Sequence, residues 1–378
     1  MDERNARIAA LLGPIGADWA LLTGADSVCY ATGHEAPAGA GPSPFAGGPS
    51  LAAVGRDGRT ALVVEASERG PAEGLRADLV LDYDGFAPDP AGPSLERLYG
   101  EAVRAMLDEL GVGGTVAVEP AGYPAAMRPL LDGRIAGLAD VTSSLRAARA
   151  VKTAAEIVQL RACAALTGIG QNAAREALAP GRTELEVFGA IRAALDAAEG
   201  GPAVLASDLL SGSDRTAAAM GPPGPRMLAE GDPVICDLVP RSGGYWGDSC
   251  STWVLGEPRA GLGRLYAAAR AGLDRAVETL RPGITAGSFA DGVYAAIEAA
   301  GGHDPIHAGH GIGTSNFEHP RLVRGARALL EPGMVLMVEP GAYAARVGGV
   351  RLEWMFLVTE TGNEVLSPYP IEAVLTPA

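Results

Sequence analysis

The chain has 378 residues, 48% hydrophobic and 20% charged, enough for a sizeable core and about the right length for two domains. Its formal charge of −15 argues against partners bound through phosphate neutralisation, so neither nucleic acid nor an anionic membrane surface is expected. No run approaches the ~18 apolar residues of a membrane span, and the opening Met1-Asp2-Glu3 lacks the basic leader of a signal peptide.

The first 145 or so residues alternate short apolar runs with helical patterns. Strands are predicted at Trp19–Leu22, Leu51–Val54, Ala61–Val64, Leu79–Tyr83 and Thr115–Val118, and helices at Ala6–Leu12, Leu95–Leu110 and Tyr123–Leu131. Pro37 to Pro49, rich in Gly and Pro, reads as a long loop. The expectation is an α/β domain over residues 1–148 and a second domain over 149–378. Cys29, Cys163, Cys236 and Cys250 form no C-x-x-C pair, which fits free thiols in a reducing cytoplasm.

Long Ala-rich helices follow Lys152. Thr153-Ala-Ala-Glu156 is a capping box opening a helix to about Leu178, and Thr183-Glu-Leu-Glu186 opens the next, which ends at Gly200-Gly201. The break between them, Leu178-Ala-Pro-Gly-Arg-Thr183, recurs as Leu280-Arg-Pro-Gly-Ile-Thr285, 102 residues later. At the same offset Val187 matches Phe289, Ile191 matches Val293, and Leu228-x-x-Gly231 matches Leu330-x-x-Gly333. Asp237 then answers Glu339 at 102, and Asp248 answers Glu353 at 105. A shared amphipathic period cannot put Gly, Pro, Thr and carboxylates in register, so the pattern predicts two copies of a helix–helix–hairpin unit about a pseudo-twofold axis.

Asp237, Glu339 and Glu353 each interrupt an apolar β-type run. Ionised carboxylates are almost never buried without a partner, and the neighbouring runs contribute only Arg351 as a cation. Converging acids therefore call for divalent ions, with oxygen ligands favouring Mn, Mg, Co or Fe. His310, in Gly309-His-Gly-Ile-Gly313, adds an imidazole whose flanking glycines admit close backbone approach. Four acids and one His suggest a dinuclear site with bridging carboxylates and a metal-bound hydroxide as nucleophile. Glu339 is expected to burden the metal-free fold, so that Glu339→Gln should abolish turnover with little loss of stability.

These residues resemble the pita-bread metallopeptidase family, which includes aminopeptidase P, prolidase, methionine aminopeptidase and the metal-free creatinase. The resemblance implies an α/β N-terminal domain plus an α+β pita-bread C-terminal domain with the internal pseudo-twofold repeat. It maps the family's Asp, Asp, His, Glu, Glu ligands onto Asp237, Asp248, His310, Glu339 and Glu353. Cys29-Tyr-Ala-Thr-Gly33 resembles the Y-x-T-G strand end of a creatinase-type N-terminal domain, and Arg149-Ala-Val-Lys-Thr153 the entry to the catalytic domain. It implies a hydrolase of the Xaa-Pro peptidase or prolidase type, using two divalent ions (Mn, Co, Fe or Zn) on an amide or other C–N bond of a small molecule or short peptide. A homodimer is implied too. The alternatives are a creatinase-like hydrolase or lyase acting on a small metabolite, and a non-catalytic binding protein; chaperone-like members of the fold lose the ligands that this chain keeps.

The substrate side departs from the family. Phe317 stands where peptide-cleaving members carry a His seven residues after the ligand His, and Met220 closes a stretch, Ser211 to Met220, that lacks their second His. Ser251 replaces the Arg of their D-x-T-R-T strand. His319 either shifts inward to fill the vacant catalytic role beside Glu339, the expected general base, or does not. His307, Tyr245 and Arg351 complete the candidate substrate-binding set with Phe317 and Met220. His307 is either a pocket residue or a loop residue, Tyr245 and Trp246 either a pocket wall or packing, and Cys250 either close to the metals or a small core residue.

Overall fold

In the computed structural model, which describes residues 2–37, 46–70, 74–86, 92–372 and 374–375, the short apolar runs of the first unit (Met1–Ala148) pair into one six-stranded sheet. Its strands are β1 (Trp19–Leu22), β2 (Leu51–Gly55), β3 (Thr60–Glu65), β4 (Leu79–Tyr83), β5 (Thr115–Val118) and β6 (Gly137–Asp140), in the order β4-β3-β2-β1-β5-β6. β1, β2 and β3 are buried along their whole length, because helices cover both faces and the period-two alternation sends side chains to two separate cores. Leu21, Ala53 and Val63 pack under α3 (Leu95–Leu110) through Val103, Met106 and Leu107. Leu22, Ala52 and Leu62 face Ile8 and Leu12 of α1 (Glu3–Leu12) and Val28 and Tyr30 of α2 (Ala25–Thr32).

Two expectations are corrected in this unit. Cys29–Gly33 is the last turn of α2 rather than a strand end: Gly33 caps it at φ 75, its N–H donating to Cys29 O at 2.8 Å. The helix expected over Tyr123–Leu131 shrinks to a 3₁₀ turn, Ala125–Met127, and a single turn, α4 (Arg128–Leu131). Pro124 and Pro129 confine helix there to starts, since neither can donate a backbone hydrogen bond. Most of the expected loop from Pro37 to Pro49 lies outside the described residues. α5 (Thr142–Ala150) leads to the second unit.

The second unit (Arg149–Ala378) carries the repeat. α6 (Ala154–Ala177) and α7 (Glu184–Glu199) both start in complete capping boxes, at Thr153/Glu156 and Thr183/Glu186. α9 (Leu262–Thr279) and α10 (Ala286–Ala299) are their second copies, and α8 (Ser213–Ala217) is a short insertion. The duplication reaches single hydrogen bonds. Leu178 and Leu280 end α6 and α9 with N–H groups bonded to Ala174 O and Ala276 O. The isolated bridge Thr183–Met227 reappears as Thr285–Leu329, and Gly181 N–H to Leu228 O as Gly283 N–H to Leu330 O.

In the first half β7 (Val204–Ser211), β8 (Pro233–Ser242), β9 (Tyr245–Trp246) and β10 (Cys250–Leu255) form a sheet joined at its edge by the C-terminal β18 (Val374–Leu375). In the second half β11 (Gly309–Gly311), β12 (Glu318–Leu322), β13 (Val335–Val338), β16 (Trp354–Val358) and β17 (Asn363–Val365) run in the order β12-β11-β13-β16-β17, beside a hairpin of β14 (Gly341–Ala344) and β15 (Gly348–Arg351). No helix among the described residues is long and apolar enough to cross a membrane.

Candidate functional site

Each predicted acid sits within or beside a largely buried strand. Asp237 lies mid-β8, Asp248 just before β10, Glu339 just after β13, and Glu353 between β15 and β16. Gly247, beside Asp248, packs directly on α6: a Cβ there would come 2.8 Å from Cys163 O, so only glycine lets the hairpin approach. His310 is the middle residue of β11, paired with β12 on one side and β13 on the other. Side chains at Gly309 and Gly311 would run into the backbones of Met337 and His319. The imidazole Nδ1 is paired with Gly311 O at 2.8 Å, which turns Nε2 toward the acids.

The structure brings the five side chains together. Asp248, His310 and Glu353 each offer a donor atom within 4.8 Å of the other two. His310 Nε2 lies 3.3 Å from Glu339 Oε1 and 3.7 Å from Asp248 Oδ2. Asp237, Asp248, His310 and Glu339 line one cavity of about 280 Å³. All four acids are buried or nearly so, and burial raises the pKa of Asp237 to about 6 against the pull of Arg351. Asp248 and Glu353 are driven well above the usual carboxylate range, by burial first and then by the charges of their acidic neighbours. Glu339 differs: burial pushes it up too, but His310, His307 and Arg351 outweigh that and hold it below its usual value. The expectation that Glu339 burdens the metal-free fold is therefore corrected: its neighbours favour the ionised form.

The donor set fits divalent cations. Glu353 Oε2 is buried without a hydrogen-bond partner, and three mutually repelling carboxylates are shifted toward the neutral form, as expected where positive charge is needed at their centre. Oxygen donors with one imidazole suit Mn, Fe, Co or Zn.

The substrate candidates divide. Met220, Phe317, His307 and Arg351 line the cavity. The Phe317 ring is 4.5 Å from that of His310, and His307 stacks on His310 at 5.5 Å with its Nε2 3.3 Å from Glu339 Oε1. His319 and Tyr245 are corrections. His319 is exposed and absent from the cavity wall: β11 pairs Gly311 with Glu318 but His310 with Arg321, so His319 and Pro320 bulge out of the ladder. Its neighbour Glu318 is fixed inward by Arg149 Nη2 at 2.6 Å and Lys152 Nζ at 2.9 Å. Tyr245 is packing, buried against Leu160 and Ile312 with its hydroxyl 3.3 Å from Glu156 Oε1. Cys250 is a core residue beside Leu210 and Ile235.

Sequence reasoning missed Asp208. It lies on β7 opposite Asp237, and Arg351 Nη2 bridges the two, 2.6 Å from Asp237 Oδ2 and 3.1 Å from Asp208 Oδ2. The signal was available: Asp208 precedes His310 by 102 residues, the offset of the repeat itself.

Residues 158–360, more than half of the chain, match the model of metallopeptidase family M24. A probable dipeptidase PepE of Mycobacterium tuberculosis is 34% identical over 239 residues, 62% of this chain and 63% of that protein. An agropine synthesis cyclase of Rhizobium rhizogenes is 32% identical over 251 residues, 61% of this chain and 63% of that protein. This chain thus aligns with under two thirds of the length of either relative. The crystal structure of dipeptidase PepE from Mycobacterium ulcerans superimposes with a TM-score of 0.77 at 26% identity, covering 99% of this chain and 97% of the other. That likeness extends over both units, with a duplicated α+β half of the pita-bread type. The chain belongs to metallopeptidase family M24.

Proposed function

We propose that the chain is a metal-dependent hydrolase that cleaves an amide or related C–N bond of a short peptide or small molecule. The observation that carries the reading is the convergence of Asp248, His310 and Glu353 within 4.8 Å, beside Glu339 and Asp237. These five residues would hold two divalent ions, manganese among the candidates. Ions bound there would supply a water acidified for attack and a Lewis acid for the scissile carbonyl.

The protein's own groups take the remaining roles. Glu339 keeps its carboxylate ionised beside two imidazoles, which suits a group that accepts a proton and later returns it to the leaving nitrogen. With His319 turned outward, His307 is the imidazole left to donate to a developing oxyanion beside Glu339. Met220 and Phe317 give the cavity apolar walls where the peptide-cleaving pattern has histidines.

Those two walls favour a second reading within the family, chemistry on a small non-peptide metabolite, and a similar protein is named a synthesis cyclase. The deciding experiment is metal analysis of the purified protein, followed by turnover with Mn and Co across Xaa-Pro dipeptides and small amides. Stoichiometric metal with kcat/KM near ~10⁴ M⁻¹s⁻¹ or above on any of them supports hydrolysis. Absence of both metal binding and turnover refutes it. A cytoplasmic homodimer completes the proposal, tested by fractionation and by sedimentation of the full chain.

A further inference from the structure

Asp208 belongs to none of the motifs and is not among the five proposed ligands, yet it faces the same cavity. Both of its oxygens are engaged. Oδ2 accepts from Arg351 Nη2, and Oδ1 accepts from the N–H of Gly221 at 3.0 Å. Arg351 is the single Arg or Lys among the described residues that line this cavity. Its Nη2 is divided between Asp208 and Asp237, while Nη1 donates to Ala219 O at 2.8 Å. The guanidinium is 4% exposed.

Two consequences follow from that wiring. The first concerns shape. Ala219 holds a φ of 69°, a conformation that non-glycine residues seldom adopt, and its carbonyl and the Gly221 N–H are both fastened to the Arg351–Asp208 pair. Met220, between these anchors, is therefore set in the cavity wall by Asp208. The second concerns charge. A guanidinium with an open edge captures carboxylates in a two-point contact. Here Asp208 and Asp237 share Nη2, Ala219 O takes Nη1, and an incoming carboxylate would meet Asp208 itself.

We propose that Asp208 is a specificity-determining residue: by occupying Arg351 and fastening the Met220 turn, it makes the cavity accept a neutral or cationic leaving end and reject a carboxylate. The inference rests on the hydrolase reading and names its substrate class, amides and amine-bearing molecules rather than dipeptides with a free C-terminus. A carboxylate denied a charge-assisted hydrogen bond should bind about 10- to 100-fold more weakly than its carboxamide.

The test uses the metal-loaded full chain and the matched pair alanyl-L-proline and alanyl-L-prolinamide, with direct binding of L-proline and L-prolinamide by titration calorimetry as a readout independent of turnover. Wild type should favour the amide by tenfold or more. Asp208→Asn keeps an acceptor for the Gly221 N–H and removes only the charge, so the preference should fall about tenfold, through KM rather than kcat. Asp208→Ala should lose the preference and also raise KM for both members of the pair, because the turn is released. If neither dipeptide turns over, the calorimetric binding order reads the specificity by itself, tighter prolinamide supporting it and tighter proline overturning it. The hydrolase reading is decided separately, by metal content and turnover across the wider amide series. An equal preference in wild type and Asp208→Asn, or a wild-type preference for the carboxylate, overturns the proposal.

Discussion

Replacing Glu318 by Gln tests how the wall of the site is held. Glu318 is buried with Arg149 on one oxygen and Lys152 on the other, and Lys152 Nζ also donates to Arg149 O at 2.8 Å. Burial alone would raise this carboxyl, yet the two cations bring it from 4.5 down to about 2. A difference of that size corresponds to ~3 kcal/mol in favour of the ionised form in the folded state. Gln forfeits that stabilisation and leaves two buried cations without their counter-charge, so a loss of ~3–5 kcal/mol is expected. Urea unfolding followed by tryptophan fluorescence reads mainly the affected unit, since three of the four tryptophans, Trp246, Trp253 and Trp354, lie in it and only Trp19 lies in the first. The sign with pH is fixed as well. A depressed folded pKa gives stability that is present above the unfolded value near 4.5 and lost as pH falls toward about 2. Wild type should lose stability steeply across that window, and Glu318→Gln should lack this component. A variant within ~1 kcal/mol of wild type at pH 7 would refute the reasoning.

The metal-free protein should behave oppositely at Asp237. With a folded pKa raised to about 6, it contributes stability present below about pH 4 and lost as pH rises through 6, so the Tm gap between Mn-loaded and metal-free protein should widen from pH 4 to 7; a constant gap contradicts this. Glu339→Gln should cut kcat by ~10² or more and lower the metal-free Tm, whereas Glu353→Gln should raise that Tm by removing a repelled charge. Equal Tm shifts in the two variants would remove the distinction drawn between these acids. Phe317→His should raise kcat/KM for an Xaa-Pro dipeptide by ~10-fold or more if the missing imidazole limits peptide cleavage, and no gain shows that His307 already serves.

The second unit was legible because duplication writes the same constraints twice. The Pro-Gly break, the capping threonines and the paired acids each serve a local need, and their common offset of 102 residues identifies the symmetry. The strands of the first unit were legible for a different reason: buried on both faces, they stand out as continuous apolar runs. Where local chemistry was ambiguous, the reading failed. Cys29-Tyr-Ala-Thr-Gly33 has β-type residues, but α2 buries Tyr30 under the sheet and Gly33 supplies the left-handed cap. His319 was misplaced because a bulge cannot be seen in sequence. Two residues leave the ladder between Glu318 and Arg321, and the buried Arg149–Glu318–Lys152 cluster fixes which neighbour points inward.

The repeat also explains how two equivalent acids come to differ. Asp237 and Glu339 occupy matching places after matching apolar runs, and both are buried in the same cavity. Burial raises the pKa of Asp237 most, Arg351 pulls it down only in part, and the first half adds Asp208, a like charge that raises it further. Around Glu339 the second half puts His310, at the position that repeats Asp208, and then His307. Exchanging one carboxylate for an imidazole between the halves thus helps shift the two acids in opposite directions. A site that must both hold cations and move a proton is served by that division, because the acid beside two imidazoles keeps its charge to lower pH while the acid beside Asp208 gains more from a cation. Under the proposed reading, Glu339 carries the proton and Asp237 serves as a ligand whose buried charge a cation offsets. The local backbone is common to both halves; the neighbouring side chain on the adjacent strand assigns the role.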